Sequence, residues 1–372
     1  MTEHPPVPPA GHQPEPTPDP AAALSRRYGT LLAAGITFVA LVCVAFLVPV
    51  PYVKMSPGPV FNTLGDFDGE PMFTFGKGVK TYPTEGALDF TTVSVTRADT
   101  KLSLVGVMKA YFTDDVAVVP HDIVYPENQS AADSDAAGQA QLTSSKDASR
   151  VAALRAAGYT VPESTAVAGL TKGAPAAGKL EKGDEIRSVD GRRTVSARSV
   201  VEAVSSLQPG KVVAIGYRRD GRAGVARITT KADAANPKVA RVGVTLRSSY
   251  DFPVSITNHV GDQIGGPSAG TMFALAIYDR LTPGQLTGGR DVAGTGEITS
   301  DGLVGPIGGI RQKLAGAAAA GATVFLAPAS NCNEVRASDH HGMKIVKVST
   351  LKGAIDALEK LAANGKASVP TC

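Results

Sequence analysis

Residues 28–53 carry no charged side chain, and Arg26, Arg27 and Lys54 bracket them. Within this run, residues 31–50 are long and apolar enough to cross ~30 Å of hydrocarbon as a helix. The rival readings are a buried core helix and a cleaved signal peptide. The stretch is long for the apolar region of a signal peptide, and no small-x-small cleavage site follows it. We therefore expect a retained membrane helix at residues 28–50. Two arginines precede it and one lysine follows closely, so the basic-residue rule places the N-terminus inside and the remaining chain outside the cytoplasm. Residues 1–27 are rich in Pro and Ala and read as a disordered tail.

The three cysteines fit that location. Cys43 lies in the apolar run, while Cys332 and Cys372 both lie in the expected exported part. Two exported cysteines with none left over point to one disulfide, the alternative being two free thiols.

Charge and composition exclude more than they assign. A formal net charge of +3 over 372 residues leaves no basic stripe for nucleic acid. Trp is absent, so no base-stacking platform stands out. The sequence holds no G-x-x-x-x-G-K-[ST] loop and no H-E-x-x-H motif, so neither an ATPase motor nor a zinc peptidase is expected. We expect no cofactor. His340 and His341 lack partners at metal-ligand spacing and read as surface residues.

Two short segments carry the chemistry. Gly265-Gly266-Pro267-Ser268-Ala269-Gly270 leads into an apolar stretch through Tyr278, the mark of a buried helix. Pro267 suits a first helical turn. Ser268 therefore sits where unpaired N–H groups favour negative charge. The N–H groups near Gly266 and Ala269 are candidates for holding an oxyanion. The bland reading is an ordinary N-cap serine. Gly308-Gly309-Ile310-Arg311-Gln312-Lys313, whose lysine stands 45 residues after Ser268, opens a second apolar helix ending near Gly321, followed by a strand at 322–327. Lys313 stands near the start of that helix among Leu314, Ala315 and Ala317. Burial and the helix end both lower a lysine pKa, and a neutral amine can take a proton from a serine hydroxyl. The bland reading is a lysine reaching to solvent. His259 is a rival base, with no Asp evident behind it.

These motifs, with Gly294-Thr295-Gly296-Glu297, Gly305-Pro306-Ile307-Gly308-Gly309, Ala327-Pro328 and Asn331, resemble the proteolytic domain of the Lon family in order and spacing, over roughly Val239 to Leu361. The resemblance implies Ser268 as nucleophile, Lys313 as general base and Thr295 as a hydroxyl that helps position the lysine. Gly265 stands where many Lon proteins carry an acidic residue. Lon-like domains often form rings, so a homo-oligomer is implied by analogy.

Upstream, residues 91–96 and 102–107 read as strands, 126–138 as a loop and 145–157 as an amphipathic helix stopped by Gly158. Residues 165–230 follow another pattern: a short strand at 167–170, a Gly173-Ala174-Pro175-Ala176 turn before a short helix, Gly183-Asp184-Glu185-Ile186, and Asp190-Gly191. An amphipathic helix at 196–207 and two strands around Asp220-Gly221 complete it. This resembles a bacterial PDZ domain, which implies a groove where a peptide adds a strand to a sheet edge.

The sequence thus describes an α+β chain. It has an N-terminal transmembrane helix, a connecting region at 51–160, a small β-rich PDZ-like domain at 161–232 and an α/β Lon-like domain at 237–372. The whole resembles the membrane-anchored PDZ-Lon proteases. That resemblance implies an ATP-independent serine endopeptidase of the cell membrane acting on unfolded or flexible protein segments, with the PDZ-like domain recruiting, gating or spacing. The alternative is a non-catalytic peptide-binding scaffold on an inactive protease fold.

Overall fold

The computed structural model describes residues 20–126 and 130–372, with side chains from residue 28 onward. In chain order the elements used below are helix α1 (Pro20–Leu47), strands β1 (Tyr52–Asn62) and β2 (Ala87–Val95), helix α2 (Leu104–Tyr111), strand β3 (Ala117–Pro120) and helix α3 (Ala131–Ala156). Next come strands β4 (Glu163–Leu170) and β5 (Glu185–Val189), helix α4 (Ala197–Ser205), and strands β6 (Val212–Arg219), β7 (Arg222–Thr229) and β8 (Val244–Tyr250). Helix α5 (Gly270–Leu281), strand β9 (Asp291–Gly294), helix α6 (Ile310–Ala319), strands β10 (Val324–Pro328) and β11 (Lys344–Val348), and helix α7 (Leu351–Ala363) complete the chain. These elements fall into two units, one of residues 1–55 with 95–129 and one of residues 56–94 with 130–372.

In the first unit, Tyr28–Leu47 of α1 is long and apolar enough to cross a membrane, with a mean hydropathy of 2.5. Residues 1–19 of the expected tail lie outside the described residues. From Pro20 the chain is already helical, since Pro suits a first turn and three alanines follow. The helix stops at Leu47, short of the expected residue 50, because Pro49 cannot continue it and instead pairs with Ser103. The start of β1 pairs antiparallel with β3, Tyr52 opposite Pro120 and Met55 opposite Ala117. The strand expected at 102–107 is extended only at Leu102–Ser103. The Ser103 hydroxyl then accepts the Gly106 N–H at 3.2 Å, and the apolar residues after it become α2.

The second unit holds two sheets. In one, β11-β10-β9-β2-β1 run side by side, with the β11–β10, β10–β9 and β9–β2 pairs parallel. Alternate strand residues face opposite sides. Ala293, Phe325, Ala327 and Ile345 pack with Ile310, Leu314 and Ala317 of α6. Val292, Val324, Leu326, Val346 and Val348 pack with residues of α3, α5 and α7. Such near-continuous apolar strands are expected where helices cover both faces of a parallel sheet.

This sheet corrects the linear division of the chain. Residues 51–160, expected as a connecting region, supply most of β1 and β2 and all of α3 to the same unit as the catalytic segments. Residues 127–129 of the expected 126–138 loop lie outside the described residues. From Ala131 the chain is helix, set by a capping box in which Ser130 and Asp133 bond each other's backbone N–H. A single helix therefore replaces the loop and the shorter helix expected at 145–157, and it buries Leu142, Ser145, Ser149 and Leu154.

The other sheet, ordered β7-β6-β5-β4-β8, is antiparallel throughout, with its own core around Val167, Ile186, Val204 and Ile215. It extends past the expected limit of 232: β8 pairs along β4 from Val244–Leu170 to Tyr250–Glu163. The short helix expected after Ala176 does not form. Turns stand there, with Gly173 and Gly178 at positive φ. Asp190-Gly191 and Asp220-Gly221 form the hairpin turns their residues announce, all four at positive φ.

Cys332 and Cys372 form a disulfide across a separation of 40 residues, tying the end of the chain beside β10. The exposed Cys43 is free. Closing a loop of that length is worth about 4 kcal/mol in the chain-entropy account. Cys372→Ser should therefore lower the urea midpoint of unfolding, and an unchanged midpoint would show that the bond contributes nothing to stability.

Candidate active site

Gly266 precedes the serine with φ +88°, a conformation that suits glycine. Its N–H donates to Gly138 O of α3 at 2.9 Å. The hydroxyl of Ser145, also on α3, donates to Pro267 O at 2.9 Å. From the other side, Gly296 N and Thr295 Oγ1 both donate to Ser268 O, at 2.8 and 3.0 Å. The main chain at Ser268 is thus held from two directions while its side chain stays half-buried. Helix α5 begins at Gly270, with Ala269 as N-cap, so Pro267 lies ahead of the helix and not within its first turn. Gly270 is required by close approach: a Cβ there would lie 2.5 Å from Ser145 Oγ and 2.9 Å from Ile298 Cγ2.

Lys313 comes from the opposite face of the sheet. It lies in the first turns of α6, where its N–H bonds Gly309 O at 3.0 Å. The side chain is 3% exposed. Its Nζ donates to Thr91 O of β2 at 2.6 Å and to Ser268 Oγ at 3.0 Å. Burial lowers the amine from its ordinary 10.5 to about 7. A neutral amine at this separation can accept the serine proton, and a protonated one can return it. Helices on the two faces of the sheet thus bring a hydroxyl and an amine together beside the carboxyl end of β9, the place where open α/β sheets commonly build sites.

The expected site residues divide accordingly. Ser268 and Lys313 are brought together. Thr295 is fully buried and bonds the serine's carbonyl, so it positions the serine, not the lysine as expected. Gly266 has already given its N–H to Gly138, which removes it from the expected oxyanion donors. Among the described residues no partner takes the Ser268 or Ala269 N–H. The rival base His259 is engaged elsewhere, its Nδ1 lying 3.2 Å from Glu70 and its Nε2 2.9 Å from Thr74 Oγ1.

Residues that sequence reading missed come from segments distant in the chain. Thr91 supplies only a carbonyl, which leaves no trace in side-chain chemistry. Helix α3 holds the nucleophile loop through Gly138 and Ser145, and also through Gln139 Nε2 to Ile264 O at 2.9 Å and Lys146 Nζ to Val260 O at 2.7 Å. The Ser130-x-x-Asp133 capping signal could have revealed the helix, though not its partner.

Residues 255–360 match the Lon protease (S16) C-terminal proteolytic domain. This part of the chain is a Lon-type proteolytic domain. Residues 140–230 match the PDZ domain, although α3, which overlaps that range, packs on α5 of the Lon-type domain. The chain is similar to Lon protease 1 of Bacillus subtilis, with 29% identity over 189 residues, covering 48% of this chain and 24% of that protein. It is also similar to the Lon protease of Geobacter metallireducens, with 39% identity over 111 residues, covering 30% and 13%. The chain therefore spans at most about a quarter of these relatives. Among solved structures it is similar to the PDZ domain of the SdrC-like protein from Listeria monocytogenes, with 28% identity over 22% of this chain and 85% of that one, at a TM-score of 0.21.

The PDZ domain touches the Lon-type domain at the turn of Ser300 and Asp301. Arg198 at the start of α4 pairs with Asp301 at 2.8 Å. Between α4 and the edge strand β8 lies a groove of about 430 Å³, lined by Val200, Val201, Val204, Val244 and Leu246.

Proposed function

We propose that this chain is a membrane-anchored serine endopeptidase that works without ATP. The observation that carries the reading is the buried Lys313 amine 3.0 Å from Ser268 Oγ. Ser268 Oγ bonds to the carbonyl carbon of a peptide while its proton passes to Lys313 Nζ. The oxyanion takes hydrogen bonds from the N–H groups of Ser268 and Ala269, each worth roughly 3–4 kcal/mol in the transition state. Collapse breaks the C–N bond, and the lysine proton leaves with the amine. Water then attacks the acyl ester, its proton passing to Lys313 and on to Ser268 Oγ as the acid departs.

The sequence holds no phosphate loop to power unfolding. Unfolded segments and flexible loops are therefore the substrates. Helix α1 anchors the chain with its N-terminus in the cytoplasm. The Cys332–Cys372 disulfide supports an oxidising compartment for the body.

Lys313 is active as the neutral amine, so kcat/KM should fall roughly tenfold per unit below a pH of about 7 and level off above it. Cleavage of an unstructured protein by the full chain in detergent, from pH 5 to 9, tests this. A flat profile with chemistry limiting overturns the lysine as base.

The PDZ groove binds an extended segment of the substrate along β8. Val201 lines it and is 44% exposed, so the fold tolerates change there. Val201→Glu should raise KM for a protein substrate about fivefold or more, corresponding to about 1 kcal/mol of lost binding, with kcat on a short peptide unchanged. An unaltered KM would leave the domain as a spacer or gate.

A further inference from the structure

Helix α2 buries one face and leaves the other bare. Ala110 is buried, and Val105 and Val107 are partly covered. Leu104, Met108, Tyr111 and Phe112 are 43%, 52%, 73% and 78% exposed. The spacing of 104, 108, 111 and 112 puts these four on one side of the helix. Tyr111 and Phe112 meet edge to face, with ring centroids 5.3 Å apart. Lys101 and Lys109, both exposed, flank the stripe. Among the described residues no other helix outside α1 exposes as many large apolar side chains.

The surroundings of α2 say what covers that face. The chain leaving α1 pairs at once with the chain entering α2, Pro49 with Ser103 and Val50 with Leu102. Helix α2 also contacts α1 directly. Ala45, two residues before the end of α1, is the only residue of the span 28–47 that is partly covered. Helix α2 therefore sits against the end of α1, at the level where a spanning helix leaves the hydrocarbon. Aromatic rings and lysines gather at that depth because each has an apolar body and a polar tip.

We infer that α2 is an interfacial helix, its Leu104–Met108–Tyr111–Phe112 face inserted into the outer headgroup region of the bilayer beside α1. Such faces sink ~5–10 Å below the surface, and Lys101 and Lys109 would meet lipid phosphates. The inference rests on the anchor reading of α1, but the two fail separately.

The chain has no tryptophan, so a single introduced indole reports its own surroundings. Phe112→Trp and, separately, Phe38→Trp on α1 would be made in the full chain and reconstituted into vesicles of phosphatidylcholine and phosphatidylglycerol containing brominated lipid. The indole of the Phe112→Trp variant should emit to the blue of a water-exposed indole and lose most of its emission to bromines placed near the headgroup. The indole of the Phe38→Trp variant should be quenched most by bromines near the chain ends. If the α1 indole is quenched and the α2 indole emits as in water, α2 is not interfacial and the anchor stands. If the α2 indole is blue-shifted yet insensitive to bromolipid, protein covers the face, a second copy for instance, and the inference falls. If neither is quenched, α1 does not span and both readings fall together.

Discussion

Ser268→Ala and Lys313→Ala should each lower the rate of cleavage by roughly 10⁴-fold or more, and the double variant should be no worse than either. The two groups perform one step, so removing either leaves only substrate binding and the oxyanion donors. Lys313→Arg should be equally inactive, because a guanidinium stays charged and cannot accept the serine proton. Fragments of an unstructured protein, followed by mass spectrometry with full-length wild type and variants, decide the matter. Wild-type cleavage with silent variants establishes the dyad. Equal cleavage by all assigns the cutting to another site. A silent wild type that still binds peptide through the groove between α4 and β8 would favour the scaffold alternative.

Lys313→Met should make the protein more stable while inactivating it. The unfolded lysine keeps its proton up to its ordinary 10.5, whereas the folded one releases it at about 7. Between those values the unfolded state binds more protons, so wild-type stability rises with pH from about 7 to 10.5. Below 7 the burial penalty is present in full, on the order of 5 kcal/mol. Methionine removes that penalty at similar volume. It leaves the buried Thr91 carbonyl without its 2.6 Å partner, which costs about 1–3 kcal/mol. The net gain near pH 6 is then a few kcal/mol, shrinking as pH rises. Urea midpoints of both proteins from pH 6 to 10 test it. A variant that is no more stable than wild type in acid would mean that the amine carries no such penalty.

The candidate pair was legible because its chemistry is local: a hydroxyl and an amine each stand beside glycines at the head of an apolar helix. The strands and hairpin turns of the PDZ sheet were legible for a like reason, Asp-Gly pairs naming their turns. The misreadings share another cause. Residues 102–107 look extended by apolar content, yet one serine cap starts a helix there. Residues 126–138 look like a loop by polarity, yet Ser130 and Asp133 start α3, whose value lies in what it packs against.

What the sequence alone determined is the set of parts: an apolar helix of spanning length, two cysteines free to pair outside it, a serine and a lysine in glycine-rich settings, and a β-rich segment between. Those are properties of neighbours in the chain, read from periodicity, caps and turns. The tertiary structure decided that β1, β2 and α3 belong with the Lon-type sheet, and that Thr91 O receives the lysine. It also decided that Gly138 claims the Gly266 N–H and that Thr295 serves the serine. Each of these hydrogen bonds ends on a backbone group far away in the chain. Every residue involved offers the same backbone groups, so nothing in a side chain announces which will meet.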